Sequence, residues 1–324
     1  MKKLIALLLA TLMLTGALYG CGNTAAENAS ADQSYYTVGI CQLVQHEALD
    51  AATKGFRDAL VAELGDKVKF EEQNASGEPA NCTTIINGFV ASDVDLIMAN
   101  ATLALVAAAA ATADIPILGT SVTDYASALE IDGWTGTVGT NVSGTSDLAP
   151  LDQQAAMIVE LFPDAKNVGI LYCSGEANSQ YQVDVITGYL QDLGLTATPY
   201  SFTDTNDVAS VAQLACENSD VIYIPTDNTA AANTEAIANV VLPAKVPVVA
   251  GEAGICGGCG IATLSIDYYD LGYATGLMAA KILKGEANVA EMPIEYAPIV
   301  TKQYNAANCE ALGVAIPEGY APLG

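Results

Sequence analysis

One stretch of the chain, Val94-Asp95-Leu96-Ile97-Met98-Ala99-Asn100, has a counterpart in the second half, Ser219-Asp220-Val221-Ile222-Tyr223-Ile224-Pro225. A second pair of segments repeats in the same order, residues 113–119 (ADIPILG) and 244–250 (AKVPVVA). Each segment is a short apolar run between polar or turn-forming residues, which is typical of a buried β-strand. The chain therefore carries an internal repeat of strand-forming segments.

Strand-like and helical runs alternate around this repeat in both halves of the chain. The four strand candidates of the first half have partners that start 125 to 131 positions later. They begin at Val38, Val68, Leu96 and Ile115, and at Val168, Ala197, Val221 and Val246. Strands that alternate with helices favour parallel sheets covered on both faces. The predicted fold is therefore α/β, with two doubly wound parallel-sheet lobes joined by a crossover hinge.

The first forty residues predict export from the cell. Lys2 and Lys3 precede an uncharged apolar run over residues 4–14, which matches a secretory signal. The sequence Leu18-Tyr19-Gly20-Cys21 then resembles a bacterial lipobox, in which Cys21 becomes the lipidated first residue. The alternative is a transmembrane helix, but the uncharged stretch 4–20 has only 17 residues, whereas a bilayer needs about 20. We expect a cleaved, extracytoplasmic protein that is anchored to the cell membrane by lipid.

These features predict the organisation of the whole chain. Residues 1–20 form the signal peptide and residues 21–34 a polar linker. The first lobe covers residues 35–140 and is completed by part of 265–295. The second lobe covers residues 141–264 and is completed by part of 296–324. The turn-rich residues 136–150 are predicted to form the first crossover between the lobes.

Charge and cysteine content exclude several classes of partner. The formal net charge of −26 repels nucleic acid and anionic headgroups, so neither DNA nor RNA is expected to bind. Seven cysteines remain besides Cys21, an odd number that cannot all pair. Cys256-Gly-Gly-Cys259 has the spacing of a metal knuckle, but no second cysteine pair or histidine cluster accompanies it. No metal or cofactor is predicted, and both a local disulfide and buried thiols stay open for this loop.

Enzymatic motifs are missing from the sequence. A Ser-His-Asp or Cys-His arrangement would have to use His46, the single histidine, and no Gly-x-Ser-x-Gly elbow is present. The glycine-rich residues 251–260 contain neither a complete Gly-x-Gly-x-x-Gly nor a phosphate-binding lysine. Two lobes whose strand ends face one cleft instead predict a protein that traps a small solute by closing at a hinge.

Several motifs in fixed order resemble one family. The chain is similar over residues 36–317 to the ABC-transporter substrate-binding lipoproteins of the tryptophan/tyrosine-uptake type, which have a type I periplasmic-binding-protein fold. The resemblance implies a monomer that binds an amino acid, of aromatic type, and delivers it to an ABC permease. A ligand-sensing receptor subunit with the same fold and an extracellular enzyme remain the alternatives. The motifs are Leu49 to Asp58 (LDAATKGFRD), Glu176-Ala177-Asn178-Ser179, Asp227-Asn228, Ile266-Asp267-Tyr268 with Leu271-Gly272, and Met278-Ala279 with residues 282–285 (ILKG).

The chain departs from that family's pattern at one loop. The family often carries Asp-Pro after the fourth strand, whereas here Thr123-Asp124 is followed by Tyr125-Ala126-Ser127. The ligand contacts of this loop are therefore expected to be particular to this chain.

The first lobe offers neutral donors after its strands. The free N–H groups at the start of a helix, together with hydroxyl groups, suit the carboxylate of an amino acid. Helix capping is the alternative role for Asn100 and Thr102, an ordinary polar turn for Ser121 and Thr123, and a cap or solvated side chain for His46. The candidates are Gln42, His46, Asn100, Thr102, Ser121 and Thr123.

The second lobe offers acceptors after its strands. Glu176 and Asp227 are predicted to pair with the ammonium group of the ligand, because a carboxylate in a closing cleft favours a cation. Capping is the alternative for Asp227 and Asn228, and also for Asp267 near the hinge. The candidates are Glu176, Asn178, Ser179, Asp227, Asn228 and Asp267.

The lipobox yields a direct test. Cys21→Ala removes the thiol that would carry the lipid, so the variant is expected in the medium or as an uncleaved precursor. Cell fractionation and the mass of the mature amino terminus measure this. A variant that stays on the membrane and is cleaved at the same position would contradict the lipoprotein interpretation.

Overall fold

Strands and helices alternate along the described residues, 35–297 and 299–323, of this computed structural model. The strands are β1 (Tyr36–Gln42), β2 (Val68–Asn74), β3 (Leu96–Asn100), β4 (Ile117–Val122), β5 (Val142–Ser146), β6 (Asn167–Cys173), β7 (Thr196–Phe202), β8 (Val221–Ile224), β9 (Val248–Ala250), β10 (Ala262–Ile266), β11 (Glu295–Tyr296), β12 (Val300–Tyr304) and β13 (Ala321–Pro322). The α-helices are α1 (Glu47–Leu64), α2 (Pro79–Ala91), α3 (Thr102–Ala111), α4 (Tyr125–Ala128), α5 (Leu151–Leu161), α6 (Ala177–Asp192), α7 (Val208–Asn218), α8 (Asn228–Ala232), α9 (Thr234–Ala244), α10 (Ala253–Gly258), α11 (Tyr268–Leu283) and α12 (Ala306–Leu312). Single 3₁₀ turns cover Gly65–Lys67 and Val289–Glu291.

The strands form two sheets of the same design. The first sheet has the order β11-β5-β4-β3-β1-β2 and the second β13-β12-β10-β9-β8-β6-β7. Neighbouring strands run parallel except for the antiparallel pair of β10 and β12. The order β2-β1-β3-β4-β5 of the first sheet recurs as β7-β6-β8-β9-β10 in the second. The prediction of an α/β fold with two doubly wound lobes is confirmed.

The first crossover lies later than the sequence predicts. Residues 136–150 were expected to be a turn-rich connection, with the second lobe starting at 141, yet β5 pairs with β4 inside the first sheet. The sequence pattern does not indicate β5, because Gly144 lies at its centre and glycine is unfavourable inside a strand. It is needed there because a Cβ at Gly144 would lie 2.0 Å from the carbonyl oxygen of Gly119. The chain therefore crosses between Ser146 and Leu151, and it crosses back between Ile266 and Tyr268. It crosses a third time between Tyr296 in β11 and Val300 in β12.

Each sheet is buried on both faces. Along β3, Ile97 and Ala99 belong to one apolar cluster and Leu96 and Met98 to another, as the two-residue period of a strand requires. The second sheet is covered in the same way by two further clusters. Trp134 packs against the first-lobe cluster that contains Ile97.

The structure also shows the state of the cysteines, whereas the predicted leader lies outside the residues it describes. Six of the seven cysteines within the described residues are buried and Cys216 is half-buried, and all seven are free thiols in this structure. The predicted signal peptide, linker and lipidated Cys21 lie outside the described residues. Among the residues that are described, no helix is both long and apolar enough to cross a bilayer.

Helices α1 and α11 pack backbone to backbone on the first lobe. A Cβ placed on Gly272 would lie 1.9 Å from the carbonyl oxygen of Ala52, and one on Gly55 would lie 2.1 Å from that of Tyr269. Glycine is therefore required on both helices at this crossing. The contact holds the first residue of α11, Tyr268, against the lobe.

We expect Gly272→Ala to lower the free energy of unfolding by about 1 to 3 kcal/mol, because the methyl group forces the two helices apart. Gly88→Ala is the matched control, since Gly88 lies in α2 and a Cβ there would meet nothing within 4 Å. The control is expected to gain up to about 1 kcal/mol from the higher helix propensity of alanine. Urea unfolding of both variants measures the difference, and equal stability would refute the close-packing argument.

Candidate functional site

The carboxyl ends of both sheets meet at a small cavity between the lobes, here called the site cavity. Its volume is about 10 Å³, roughly the space that one water molecule needs. Both lobes and the first crossover contribute to its wall. The lining residues are His46, Leu49, Ser121, Thr123, Asp147, Asn178, Thr226, Asp227, Asn228, Ala231, Glu252 and Tyr268.

The structure brings half of the predicted ligand contacts to this cavity. Those lining it are His46, Ser121, Thr123, Asn178, Asp227 and Asn228. The predicted residues outside its lining are Gln42, Asn100, Thr102, Glu176, Ser179 and Asp267.

Gln42 and Asn100 fasten the first helix to the sheet. The Asn100 Nδ2 group donates to the carbonyl oxygen of Leu49 and to Thr53 Oγ1, both at 2.9 Å. Thr53 Oγ1 in turn donates to Gln42 Oε1 at 2.7 Å. These buried amides thus hold α1 over β1 and β3. Thr102 is buried in the first turn of α3.

Glu176 has a different role from the predicted ammonium partner. Its Oε1 accepts hydrogen bonds from the backbone N–H and hydroxyl of Thr229 at 2.8 and 2.7 Å. Its Oε2 accepts from the N–H and amide of Asn228 at 3.0 and 2.6 Å, and from Asn178 at 3.2 Å. With five donors on two oxygens, this carboxylate holds the start of α8. Asp267 is also a capping residue. It is exposed, and it accepts a hydrogen bond from the N–H of Asp270 at the start of α11.

Three buried carboxylates line the site cavity. Asp147, Asp227 and Glu252 are 5%, 1% and 3% exposed. Asp227 accepts from the N–H groups of Cys173 at 2.6 Å and Ala230 at 2.8 Å, so it also caps α8 as the alternative interpretation expected. Glu252 caps α10 by accepting from the N–H groups of Gly254 and Ile255.

Asp147 differs from the other two because hydroxyl groups satisfy it. Thr123 Oγ1 donates to Oδ1 at 3.1 Å, and the hydroxyl of Tyr268 donates to Oδ2 at 3.0 Å. Asp147 lies on the first crossover, and Tyr268 begins α11 directly after the second. Their hydrogen bond therefore joins the first crossover to the residue that follows the second.

The electrostatics of the site cavity favour a cation. Burial raises the pKa of Asp147 to about 6. It also raises the pKa of Glu252 to about 7, and burial with the charge of Glu176 raises that of Asp227 to about 7. The lining contains no lysine or arginine within the described part of the chain. A positive group in the cavity would stabilise the ionised carboxylates.

Two polar atoms of the lining have no partner within the described protein. They are the hydroxyl oxygen of Ser121 and the amide oxygen of Asn178, both buried. Ser121 has a φ of 54°, the left-handed region that non-glycine residues rarely adopt. Such strain clusters at ligand-binding positions. The cavity thus presents one hydroxyl and one amide acceptor that are free for a ligand.

One hydrogen bond crosses the cleft from lobe to lobe. His46 Nε2 lies 3.3 Å from Asn228 Oδ1. Burial lowers the pKa of His46, which favours the neutral ring. The ring can therefore donate to Asn228 without adding a charge to the cleft.

Asp147, Glu252 and Tyr268 were absent from the predicted set. Asp147 follows β5, the strand that the sequence pattern hides. Glu252 could have been found from the repeat, because matching residues 113–119 with 244–250 aligns Glu252 with Ser121. Ser121 lies near the carboxyl end of β4 and Glu252 follows β9, the fourth strand of each half, and both line the site cavity.

Known proteins match nearly the whole chain. A family described as ABC transporter substrate binding protein matches residues 37–321. A tyrosine-binding protein of Clostridioides difficile is 33% identical over 302 residues, covering 90% of this chain and 87% of the relative. The matched family is one of substrate-binding proteins, which confirms the prediction that the chain is not an enzyme.

Two solved structures show how the lobes are arranged. The ABC domain from Streptococcus pneumonia in complex with L-Trp has a TM-score of 0.85 at 32% identity, covering 89% of this chain and 100% of the other. A ligand-free, open substrate binding protein from Clostridium difficile has a TM-score of 0.68 at 34% identity, covering 89% and 99%. The two structures cover the same share of this chain at similar identity, but the L-Trp complex has the higher TM-score. The two lobes of this chain are therefore arranged more like those of the L-Trp complex than like those of the open, ligand-free protein.

The raised pKa values predict how stability depends on pH. A free Glu carboxyl titrates near pH 4.3, whereas Glu252 in the folded protein titrates at about 7. Between these values the folded state binds more protons than the unfolded state, so its free energy of unfolding falls as pH rises. Glu252→Gln removes that proton site. The variant is therefore expected to gain stability relative to the wild type between pH 5 and pH 8.

Urea unfolding at pH 5, 6, 7 and 8 measures this difference. Asp192→Asn is the control, because Asp192 is exposed at the end of α6. The difference in free energy of unfolding between Asp192→Asn and the wild type is expected to stay constant from pH 5 to pH 8. A constant difference for Glu252→Gln would contradict the argument.

Proposed function

Since this chain belongs to the ABC transporter substrate binding protein family, we propose that it binds an aromatic amino acid in the interlobe cleft and delivers it to an ABC permease. The observation that carries the proposal is the set of three buried carboxylates, Asp147, Asp227 and Glu252, in a cavity without a lysine or arginine in its described lining. An ammonium group is the cation that an amino acid would bring to them.

The ammonium group pairs with these carboxylates and with the free amide oxygen of Asn178. Each of Asp227 and Glu252 accepts one backbone N–H at each carboxylate oxygen, and a carboxylate oxygen has two lone-pair sites. One site per oxygen of Glu252 is therefore left for the ligand, and Asp227, which also accepts a hydrogen bond from Ser179, keeps one site. Charge-assisted hydrogen bonds of this kind are the stronger class. This assignment replaces Glu176, whose two oxygens already accept five donors.

The carboxylate group of the ligand binds on the first-lobe side. Ser121 supplies a buried hydroxyl that has no partner within the described protein. His46 can donate through its ring N–H when the ligand displaces Asn228 from it. The ammonium and carboxylate groups are thus held mainly by opposite lobes, so that the ligand stabilises the closed arrangement.

Ligand entry requires the lobes to separate. Residues of both lobes enclose the site cavity, whose volume here is about 10 Å³, so an amino acid reaches it only when the lobes move apart at the crossovers. The better match to the L-Trp complex than to the open relative supports a closed arrangement in this structure. The aromatic ligand is supported by the names of the similar proteins, a tyrosine-binding protein and an L-Trp complex.

The same proposal includes the place of action. A lipid on Cys21 would hold the monomeric protein at the outer face of the cytoplasmic membrane, within reach of the permease. The lipobox at residues 18–21 and the family support this anchoring.

The charge argument predicts the effect of one substitution. Asp147→Asn keeps the shape of the side chain and its hydroxyl partners but removes the negative charge. We expect it to weaken binding of L-tyrosine or L-tryptophan by about 2 to 5 kcal/mol, because a buried ligand charge loses a partner. That corresponds to about 30-fold or more in Kd by isothermal titration.

Asp267→Asn is the matched control, because Asp267 lies on the second crossover, is exposed and caps α11. Asparagine caps a helix as well as aspartate does, so this variant is expected to bind like the wild type. N-acetyl-L-tyrosine, which lacks the ammonium group, should bind the wild type poorly. Tight binding of the acetylated compound, or an unchanged Kd for Asp147→Asn, would refute the assignment.

A further inference from the structure

The side chain of Tyr125 is inserted against two strands of the first sheet. It is buried in the first-lobe apolar cluster and does not line the site cavity. A Cβ on Gly119 in β4 would lie 2.5 Å from the hydroxyl oxygen of Tyr125, and one on Gly144 in β5 would lie 2.4 Å from it. The hydroxyl donates to the carbonyl oxygen of Thr145 at 3.1 Å. The two glycines therefore leave the space that the phenol group occupies.

Strand β4 has one extra residue beside this phenol group. Between its paired residues Gly119 and Val122, β4 has two residues, whereas β5 has one over the same part of the ladder. The two are Thr120 and Ser121, and the one is Thr145. An extra residue of this kind is a β-bulge, which can turn a side chain in a new direction. The Tyr125 hydroxyl thus binds the residue that lies opposite the bulge.

The bulge changes the alternation of side chains along β4. Ile117 and Val122 pack into the same apolar cluster, whereas Leu118 packs into the cluster on the other face. In a regular strand, residues five positions apart lie on opposite faces and residues four positions apart share a face. Without the extra residue, Ser121 would share the face of Ile117 and point into that apolar cluster. With it, Ser121 adopts a φ of 54° and lines the site cavity.

We propose that Tyr125 is a positioning residue for ligand binding, whose hydroxyl maintains the β4 bulge that turns Ser121 into the site cavity. The inference rests on the proposed function, in which Ser121 binds the carboxylate group of the ligand. Burial, together with the charge of Asp147, raises the pKa of Tyr125, so its hydroxyl keeps the proton that it donates. A phenylalanine ring would fill the same space but would leave the buried Thr145 carbonyl oxygen without this donor, which is unfavourable.

A row of hydroxyl groups supports the other face of the bulge. Thr275 Oγ1 donates to the carbonyl oxygen of Leu271 in α11 at 3.0 Å. Because each hydroxyl group has one proton, Thr145 donates to Thr275 at 2.8 Å, and Thr120 donates to Thr145 at 3.2 Å. The side chain of Thr145 is therefore held by α11 and its carbonyl group by Tyr125. Since the α11 support does not involve Tyr125, a variant without the Tyr125 hydroxyl is expected to fold.

Tyr125→Phe removes the hydroxyl and keeps the ring. The ligand is whichever of L-tyrosine and L-tryptophan binds the wild type more tightly. We expect its Kd to rise about ten-fold by isothermal titration, because a misplaced Ser121 loses a hydrogen bond to a charged group. Tyr172→Phe is the matched control, since the Tyr172 hydroxyl donates to the exposed Gln180 in the second lobe. The control is expected to bind like the wild type.

A double-mutant cycle distinguishes positioning from a general structural effect. Ser121→Ala removes the hydroxyl that Tyr125 is proposed to position, and it is expected to raise the Kd by about ten-fold or more. If Tyr125 acts through Ser121, adding Tyr125→Phe to Ser121→Ala raises the Kd by less than about two-fold further. A merely structural role would weaken binding equally with and without the Ser121 hydroxyl. Melting without ligand verifies that each variant is folded.

The outcomes separate the inference from the proposed function. If the wild type binds neither amino acid, the proposed function fails and the inference fails with it. If the wild type binds and Tyr125→Phe keeps the same affinity, the inference alone is overturned. It is likewise overturned if Tyr125→Phe has the same effect in the wild type and in Ser121→Ala, or if Tyr172→Phe loses as much affinity as Tyr125→Phe.

Discussion

The cost of burying carboxylates in the cleft governs how the two lobes meet. Asp147, Asp227 and Glu252 are almost fully buried, and the described lining of their cavity contains no positively charged side chain. Hydrogen bonds recover part of the lost hydration, but the pKa values of about 6 to 7 show that the charged forms are still disfavoured. In the proposed function, a cationic ligand removes that penalty only when the lobes enclose it. The proposal therefore couples closure to ligand binding through the desolvation of these carboxylates.

Helices of both lobes hold the three buried carboxylates in place. Tyr268, which donates to Asp147, is the first residue of α11, and the close crossing of α1 and α11 at Gly55 and Gly272 fixes that helix on the first lobe. Asp227 and Glu252 are held by backbone N–H groups of α8 and α10 on the second lobe. The carboxylates thus keep their positions relative to each lobe, while the distance between the lobes can change at the crossovers.

The fold could be predicted from the sequence because its pattern occurs twice. Four strands with helices between them define a doubly wound lobe. Because the same order of segments occurs again in the second half of the chain, each half supports the strand assignments made in the other. The prediction was wrong at β5, where Gly144 interrupts the apolar pattern although the close approach to Gly119 requires it. Since Asp147 follows this strand, the error in the fold also concealed a site residue.

The site itself was harder to predict, because capping and ligand binding use the same residues. Glu176, Asp227 and Asp267 each follow a strand and precede a helix, and each accepts a backbone N–H at a helix start. Only Asp227 of these three also lines the site cavity. Whether such a capping carboxylate also reaches the cleft depends on how its helix is oriented relative to the other lobe. No local sequence pattern encodes that orientation. For Asp227 the two roles are compatible, because two N–H groups and the Ser179 hydroxyl use three of the four lone-pair sites of the carboxylate and leave one for a cation.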